Sequence, residues 1–529
     1  MNKHSYFHVL RLVWSAAIFM TLTHTAMAQT DSVYYHVHMD AAAENEFIVE
    51  MELNLSDRTA PYIDLRMPAW SPGYYQIMDF AKNVRSFRAH HSKQQEIPSQ
   101  QDTLRWVKLD SDTWRIYQGN ASKLLISYRV HTPRAFVGTA YLDTNRAFIK
   151  PAAVFMYVDQ ELHRPARLQI GTFSDWNRVA TGLDSISGQS FAFVSPDFDT
   201  LYDSPLLVGA LQELPPFYVG GIKHRFLGYA MGDFDGAALM EELKRIVQSS
   251  VDLMGGDIPY PHYTFIGIGP GQGGIEQLNS TAISFTGKGL EGAGRMRTLS
   301  FIAHEYFHHY NVKRIRPIEL GPFDYSKPNR TNLLWVAEGL TVYYENVILN
   351  RAGIMHPEDI LRDWESHINN HERNQGKFHQ SLAESSAQTW EDGPFGKPGE
   401  TISYYVKGPI IGMLLDLRIR VASENQYSLD DVMRHLYETF YNEQGRGFTD
   451  REVMDVCEHY AGTDLIEIFD YIYTTKPIDY QKYLAQAGLV IEWTEQVNDE
   501  GQAELHSRIR FTENPSELHR KIRADMFRN

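Results

Sequence analysis

Cysteine is almost absent from this chain. Cys457 is the only one in 529 residues, so no intrachain disulfide can form and the fold must rest on its apolar core and on any metal it binds. No cysteine follows the amino-terminal leader where a lipid could be attached. Beyond that leader no run is long and apolar enough to cross a bilayer as a helix, so the mature chain is expected to be soluble, with no integral membrane segment. Positive charge is also short: 50 Lys and Arg face 66 Asp and Glu, a formal net charge of −16. That balance disfavours nucleic acid and anionic membrane as partners. Wholesale disorder is excluded as well, because 43% of the residues are hydrophobic and 12% aromatic. A chain this long is expected to divide into roughly two to four domains.

The leader itself, Met1 to Ala28, reads as an export signal. Lys3 and Arg11 supply a positive start, Leu12 to Leu22 a mostly apolar core, and Ala26-Met27-Ala28 a small-x-small cleavage site before Gln29. The protein is therefore expected to be exported, and periplasmic or secreted.

The densest chemical signal is His304-Glu305-Tyr306-Phe307-His308, inside a run from Met296 to Val312 that reads as a helix. A four-residue spacing puts His304 and His308 on one face a turn apart, where two imidazoles can share one metal. Glu305 lies one position past the first histidine, within reach of a water held there but outside the ligand set. A catalytic zinc also needs a third protein ligand and an open position. Leu333 to Tyr344 reads as a second buried helix, apolar nearly all round, with Glu338 in its first turns. A buried carboxylate without a partner is costly, so Glu338 is expected to meet a cation. Glu345 is the other candidate; Glu338 is preferred because Glu345 falls nearer the helix end, where solvent suffices.

Around this motif the chain is similar to a known family. The runs from His304 to Pro317 and from Gly321 to Tyr325, then Leu334-Trp335 and Glu338 to Tyr344, together resemble the glycyl aminopeptidases, a branch of the thermolysin-like (gluzincin) zinc metallopeptidases. Upstream, Pro68 to Tyr74 and Asp203-Ser204-Pro205 look like landmarks of that family's amino-terminal domain, and the resemblance covers about residues 33 to 489. It implies a zinc aminopeptidase with a preference for small first residues such as Gly or Ala.

Residues 29–215 read as β structure. Phe47, Val49, Met51, Leu53 and Leu55 alternate with polar neighbours, and Leu104 to Leu109 and Leu124 to Val130 form further strands. Trp70, Tyr74, Tyr75, Trp106 and Trp114 are read as core or interface packing. Past Phe217 the pattern changes. Asp235 is placed to cap a helix carrying Leu239, Leu243, Ile246 and Leu253, which ends at Gly255-Gly256. Gly269 to Gly274 matches the glycine pattern of dinucleotide sites, but it follows the strand Tyr263 to Ile268 and precedes Ile275 to Phe285, which reads as one more strand and not as a helix. Nucleotide binding is therefore rejected.

The better reading of Gly273, Gly274 and Glu276 is a substrate-binding edge. Glycines admit a peptide close to the backbone, a strand edge pairs with an extended chain, and a carboxylate at its end anchors a cation. In the resembling family the matching glutamate holds the free α-amino group of the substrate. Gln277 departs from the histidine expected there and leaves the fine recognition of the amine open. By the same resemblance Tyr405, in Tyr404-Tyr405-Val406-Lys407-Gly408, donates to the oxyanion, with Tyr404 as the alternative. Asp392 to Gly399 marks a loop near the cleft.

The expected fold is multidomain α+β: an all-β, sandwich-like domain over 29–215, a thermolysin-like catalytic domain over 216–355, and its helical lobe over 356–489. A tail over 490–529 is too short for a complete PDZ domain; Val490 to Trp493 and Leu505 to Phe511 read as a hairpin and Arg520 to Arg528 as disordered. Other histidines, among them His309, His90, His91 and His435, are read as surface or outer groups. The expected chemistry is one zinc ion held by His304, His308 and Glu338, Glu305 as general base and proton shuttle, and peptides with a free amino terminus as substrates. A zinc endopeptidase and a catalytically weak peptide-binding relative stay as alternatives.

Overall fold

Alternation decides the first half of the chain. Along Glu46–Asn54, Phe47, Val49, Met51 and Leu53 are fully buried while the residues between them are half-exposed, the signature of a sheet with one face on a core. The structure is a computed structural model that describes residues 32–55, 58, 60–91, 103–132, 134–292, 294–497 and 503–527. The proposed leader lies outside the described residues. By its internal contacts the chain forms two units, one of residues up to Ala69 with Asp79–Val179 and Leu183–Ala210, the other of Trp70–Met78, Ala180–Gly182 and Leu211 onward.

The first unit is β-rich. Its largest sheet has seven strands, in which Val33–His38 lies between Ala166–Ile170, running parallel, and Glu46–Asn54, running antiparallel. Lys123–His131 and Val84–His91 continue that sheet to one edge. A second sheet pairs Tyr62–Arg66 with Thr113–Tyr117, and the latter with Trp106–Lys108. Trp114 stacks on Phe87 with ring centroids 5.6 Å apart and is buried, whereas Trp106 remains 37% exposed at the sheet edge.

The second unit opens with a sheet in the order Gln212–Glu213, Ile222–Gly228, His262–Gly267, Ser280–Ile283, Gly274–Glu276. The helix Gly236–Leu253 makes the crossover between two parallel strands, and the Asp235 side chain caps it by accepting from Ala238 N at 2.9 Å. Its buried face is Leu239, Leu243, Ile246, Val247 and Leu253, at helical spacing. Two sequence expectations are corrected in this region. Ile275 to Phe285 is not one strand: Gly274–Glu276 folds back antiparallel on Ser280–Ile283, with Glu276 opposite Thr281, because Gln277 to Asn279 turn the chain. The helix over Met296 to Val312 stops at Phe307. The chain then tightens into turns, His309 N to Tyr306 O and Ile315 N to Tyr310 O, and Val312 takes φ 112°.

Trp70–Met78, counted with the β domain from sequence, packs in this second unit. The Trp70 indole donates to Asp324 O at 2.9 Å and stands among Phe323, Tyr325 and Trp390, an aromatic core that outweighs chain continuity. Downstream the unit is helical, chiefly Leu340–Arg351, Pro357–Arg373, Tyr404–Ala422 and Asp450–Ala461. Leu489–Val497 and Ala503–Phe511 form the expected hairpin, docked on Pro357–Arg373 through Ser507 N to Asn369 Oδ1 and Ile509 N to Glu365 Oε1. The basic end is not disordered over its described residues. Glu517–Met526 is a helix capped by Ser516, and Ile522 and Met526 are buried.

Candidate active site

His304 and His308 lie at the end of the helix Gly294–Phe307, and His308 N still donates to His304 O at 3.3 Å, which keeps both imidazoles on one face. Each ring is fixed by its Nδ1. His304 Nδ1–H donates to Glu345 Oε2 at 2.9 Å and His308 Nδ1–H to Asn311 O at 2.7 Å. The Nε2 lone pairs are thereby turned toward each other, 3.0 Å apart. Glu338 Oε2 joins them, 3.2 Å from His308 Nε2 and 3.7 Å from His304 Nε2. All three residues are buried.

Three acceptor atoms converging in a buried space repel one another unless a cation sits among them, and two imidazoles with one carboxylate are the donor set of a catalytic zinc. The residues fit that ion. Burial alone would raise the Glu338 carboxyl, but His308 and His304 beside it hold it well below the usual carboxylate range.

Glu338 sits where the helix starts badly. Trp335–Gly339 is a π-helical turn that passes into the α-helix Leu340–Arg351, a local widening that aims a side chain off the regular helical face. Asn311 ties this turn to the histidine motif, its Nδ2 donating to Val336 O, Ala337 O and Thr341 Oγ1 at 2.8, 3.1 and 2.9 Å. Glu345, weighed from sequence as a rival ligand, stands behind His304 instead, and also accepts from Ser300 Oγ at 2.7 Å. The expectation that solvent would suffice for it is corrected: it is mid-helix and only 18% exposed. Its seven-residue spacing from Glu338, two helical turns, was the signal that both carboxylates serve one site.

Glu305 is 5% exposed, and burial pushes its carboxyl up to about 7. A carboxylate poised there serves both to take and to give a proton near neutrality. It packs against the strand Gly274–Glu276: a Cβ added to Gly274 would stand 2.8 Å from Glu305 Oε1. That strand closes the sheet, paired only with Ser280–Ile283 among the described residues. Gly273, just before it, takes φ 86° and accepts from Ser284 N through its carbonyl. Glu276, at the strand's other end, is 4% exposed and pairs with Lys313, Nζ to Oε1 3.3 Å.

Tyr405 and Tyr404 are separated by their partners. The Tyr405 hydroxyl donates to Glu338 Oε2 at 2.9 Å, inside the ligand set, while that of Tyr404 pairs with Thr389 Oγ1 at 3.0 Å. Burial and the Glu338 charge raise the Tyr405 phenol well above its ordinary value, so it is a donor at neutral pH. Phe395, 76% exposed, lies on the Asp392 to Gly399 loop with its ring 5.6 Å from that of Tyr405. His309 is not a surface group: it is fully buried among Tyr260, Tyr263, Tyr306 and Tyr310.

A β-rich unit followed by a largely helical one, with a buried His-His-Glu set on a His-Glu-x-x-His helix and a later helix, defines a zinc metallopeptidase of the gluzincin kind. The M61 N-terminal domain profile matches residues 34–210 and the M61 glycyl aminopeptidase profile residues 297–411, together more than half of the chain. The chain belongs to the M61 glycyl aminopeptidase family. Compared with curated protein sequences it finds no significant match. Among solved structures it is similar to an aminopeptidase N family protein from Idiomarina loihiensis, with TM-score 0.81, 26% identity, and 89% of this chain and 81% of that chain covered. It also shares its fold with the M1 zinc metallopeptidase of Deinococcus radiodurans, at TM-score 0.52 and 13% identity, covering 85% and 95% of the two chains. A mutant of that enzyme bound to a Tyr-Ser-Ala substrate superposes at TM-score 0.51, 12% identity, with 84% and 94% covered.

Proposed function

We propose that the chain is an exported aminopeptidase that uses one zinc ion to remove the first residue of peptides, with a preference for Gly or Ala. The observation that carries the exopeptidase reading is the strand Gly274–Glu276. Gly274 lies against Glu305, and Glu276 follows two positions on, about 7 Å along the same face of the strand. A peptide whose ammonium meets Glu276 and whose backbone lies along this edge presents its first bond to Glu305 and the ligand set. A peptide with a blocked amine loses that anchor.

His304, His308 and Glu338 would hold the zinc, which when bound supplies Lewis-acid polarisation of the carbonyl and a lowered pKa for water. Glu305 takes the proton of the attacking water and passes it to the leaving amine. Tyr405 donates its phenol hydrogen to the oxygen on which negative charge develops, a contribution of about 3 kcal/mol for donors of this type. Glu276 holds the ammonium and so fixes which bond is cut. The preference for small first residues is supported by the family, and export by the leader Met1 to Ala28, with cleavage before Gln29.

The test is hydrolysis of Gly, Ala and Leu chromogenic amides by the zinc-loaded protein, beside their amino-acetylated forms and a Glu305→Gln control. Cleavage of the free-amine Gly and Ala amides alone, lost in the control, is the expected result. Equal cleavage of acetylated amides would make the enzyme an endopeptidase. Amino-terminal sequencing of the secreted or periplasmic fraction checks the start at Gln29.

A further inference from the structure

The carboxylate assigned to the substrate's amine already faces an amine of the chain itself. Lys313 Nζ stands 3.3 Å from Glu276 Oε1, and the two side chains are 8% and 5% exposed. The chain path that brings it there is strained. Val312 takes φ 112°, in a region that a β-branched residue rarely adopts, between Val312 N to Ile315 O and Lys313 N to His308 O. The turn so made starts at metal ligand His308 and delivers the lysine to the substrate edge. Gly73, at φ 80°, also lies so close to Glu276 that a Cβ there would stand 2.8 and 2.9 Å from Oε2 and Oε1. Strand, glycine and lysine together leave the carboxylate little freedom.

We propose that Lys313 is a specificity-determining residue of the amine subsite: its ammonium shares Glu276 with the α-ammonium of the peptide and opposes it. The inference rests on Glu276 being the amine anchor. With no peptide bound, Lys313 keeps a buried carboxylate paired, which spares the enzyme an uncompensated charge. When a peptide arrives, two cations share one carboxylate, so some of the attraction is offset by repulsion. The anchor then selects for a free amine without holding it tightly. A peptide with a neutral, acylated terminus neither gains from Glu276 nor is opposed by Lys313.

The experiment uses the zinc-loaded full chain, as wild type, Lys313→Met, Lys313→Arg, Glu276→Gln and the Lys313→Met/Glu276→Gln double variant. KM and kcat are read on glycine p-nitroanilide and its amino-acetylated form, and calorimetry measures Kd for glycinamide against acetylglycinamide. Lys313→Met is expected to lower KM and Kd for the free-amine ligands roughly tenfold, with the change in KM and not in kcat. Acetylated ligands do not respond, Lys313→Arg, which keeps the positive charge, shows no gain in free-amine affinity, and the gain vanishes in the double variant. An unchanged or raised Kd for glycinamide in Lys313→Met would make the lysine a structural support and overturn the proposal. If that variant does not fold, as judged by its melting curve, Lys313→Gln replaces it under the same two outcomes. The parent reading fails separately: wild type that ignores amine acetylation, with Glu276→Gln equally indifferent, removes the amine anchor and this proposal with it. Intact discrimination that survives every Lys313 substitution unaltered overturns this proposal alone.

Discussion

His304 turns its Nε2 toward His308 and Glu338 because its other ring nitrogen is committed. Glu345 accepts from Nδ1–H at 2.9 Å and is itself held by Ser300. Removing that acceptor frees the ring to rotate and lowers its basicity. Glu345→Ala is expected to weaken zinc binding by about 10- to 100-fold, measured by competition with a chromophoric chelator. Unchanged affinity would mean that packing alone orients the imidazole. Glu305 is placed differently, by contact. The Gly274 backbone lies where a methyl group would meet Glu305 Oε1 and Cδ at 2.8 Å and Phe301 Cζ at 2.7 Å. Gly274→Ala should push the carboxylate aside and lower kcat by about 10²-fold, a typical cost of misplacing a catalytic group by an ångström. Zinc content should hold, since none of the three ligand side chains is among the atoms met. Wild-type kcat in that variant would show that Glu305 has room to yield. The histidine pair was legible from sequence because a helix repeats every 3.6 residues, and Glu338 because a lone carboxylate interrupted an apolar run. Glu345 carried its signal in the two-turn spacing from Glu338, whereas Lys313 carried none, since its role depends on where a tertiary turn aims it.

Secondary structure is irregular where the site demands it. The π-helical turn Trp335–Gly339 carries Glu338, and the start of the helix Tyr404–Ala422 carries Tyr405. The two meet backbone to backbone at Gly339 and Gly408, where a Cβ on either would stand 2.6 Å from the other's Cα. Only glycine at both positions lets Tyr405 reach Glu338. Gly408→Ala must push the facing main chains away from each other, and is expected to cost about 2 kcal/mol of stability, in the range for overpacking a core. Chemical denaturation of the purified variant measures it, and zinc affinity should fall in parallel because Glu338 adjoins Gly339. Stability lost with zinc affinity intact would separate the packing contact from the ligand's position. Element boundaries were where sequence reading went wrong. The motif helix ends at Phe307 and Ile275 to Phe285 doubles back on itself, because Asn311 makes tertiary hydrogen bonds and Gln277 N closes a tight turn on Ser280 O, neither of which periodicity reveals. The dinucleotide-like glycine run, by contrast, was rejected from its flanks. It joins the strand His262–Gly267 to the strand Gly274–Glu276, not to a helix.

At the scale of the whole molecule, a single cysteine leaves stability to the core, the metal and charge, and charge makes it depend on pH. Three histidines of the second unit, His224, His309 and His371, are held neutral by burial, and two of them, His224 and His371, lie away from the metal ligands. His224 donates from Nδ1 to Ile222 O and accepts from Tyr260, and burial pulls its pKa down to about 4. His371 is lowered to about 3 by burial and by Lys407 nearby. In the unfolded chain both titrate near 6.5. Above that pH neither state binds the proton and the contribution to stability is complete. As pH falls below about 6.5 the unfolded imidazoles take protons that the folded ones refuse, so stability drops by about 1.4 kcal/mol per pH unit for each histidine. The loss continues until pH approaches the folded values. The ligand histidines contribute their own pH dependence, so the clean measurement is a difference. Urea denaturation of wild type and His371→Asn between pH 6.5 and 4, at fixed zinc, should give wild-type stability the steeper fall, by about 1.4 kcal/mol per pH unit. Asn at 371 will lower stability at every pH by lost packing, and that offset does not enter the slope. Equal slopes in the two proteins would mean that His371 takes up its proton in the folded chain despite its burial and the charge of Lys407.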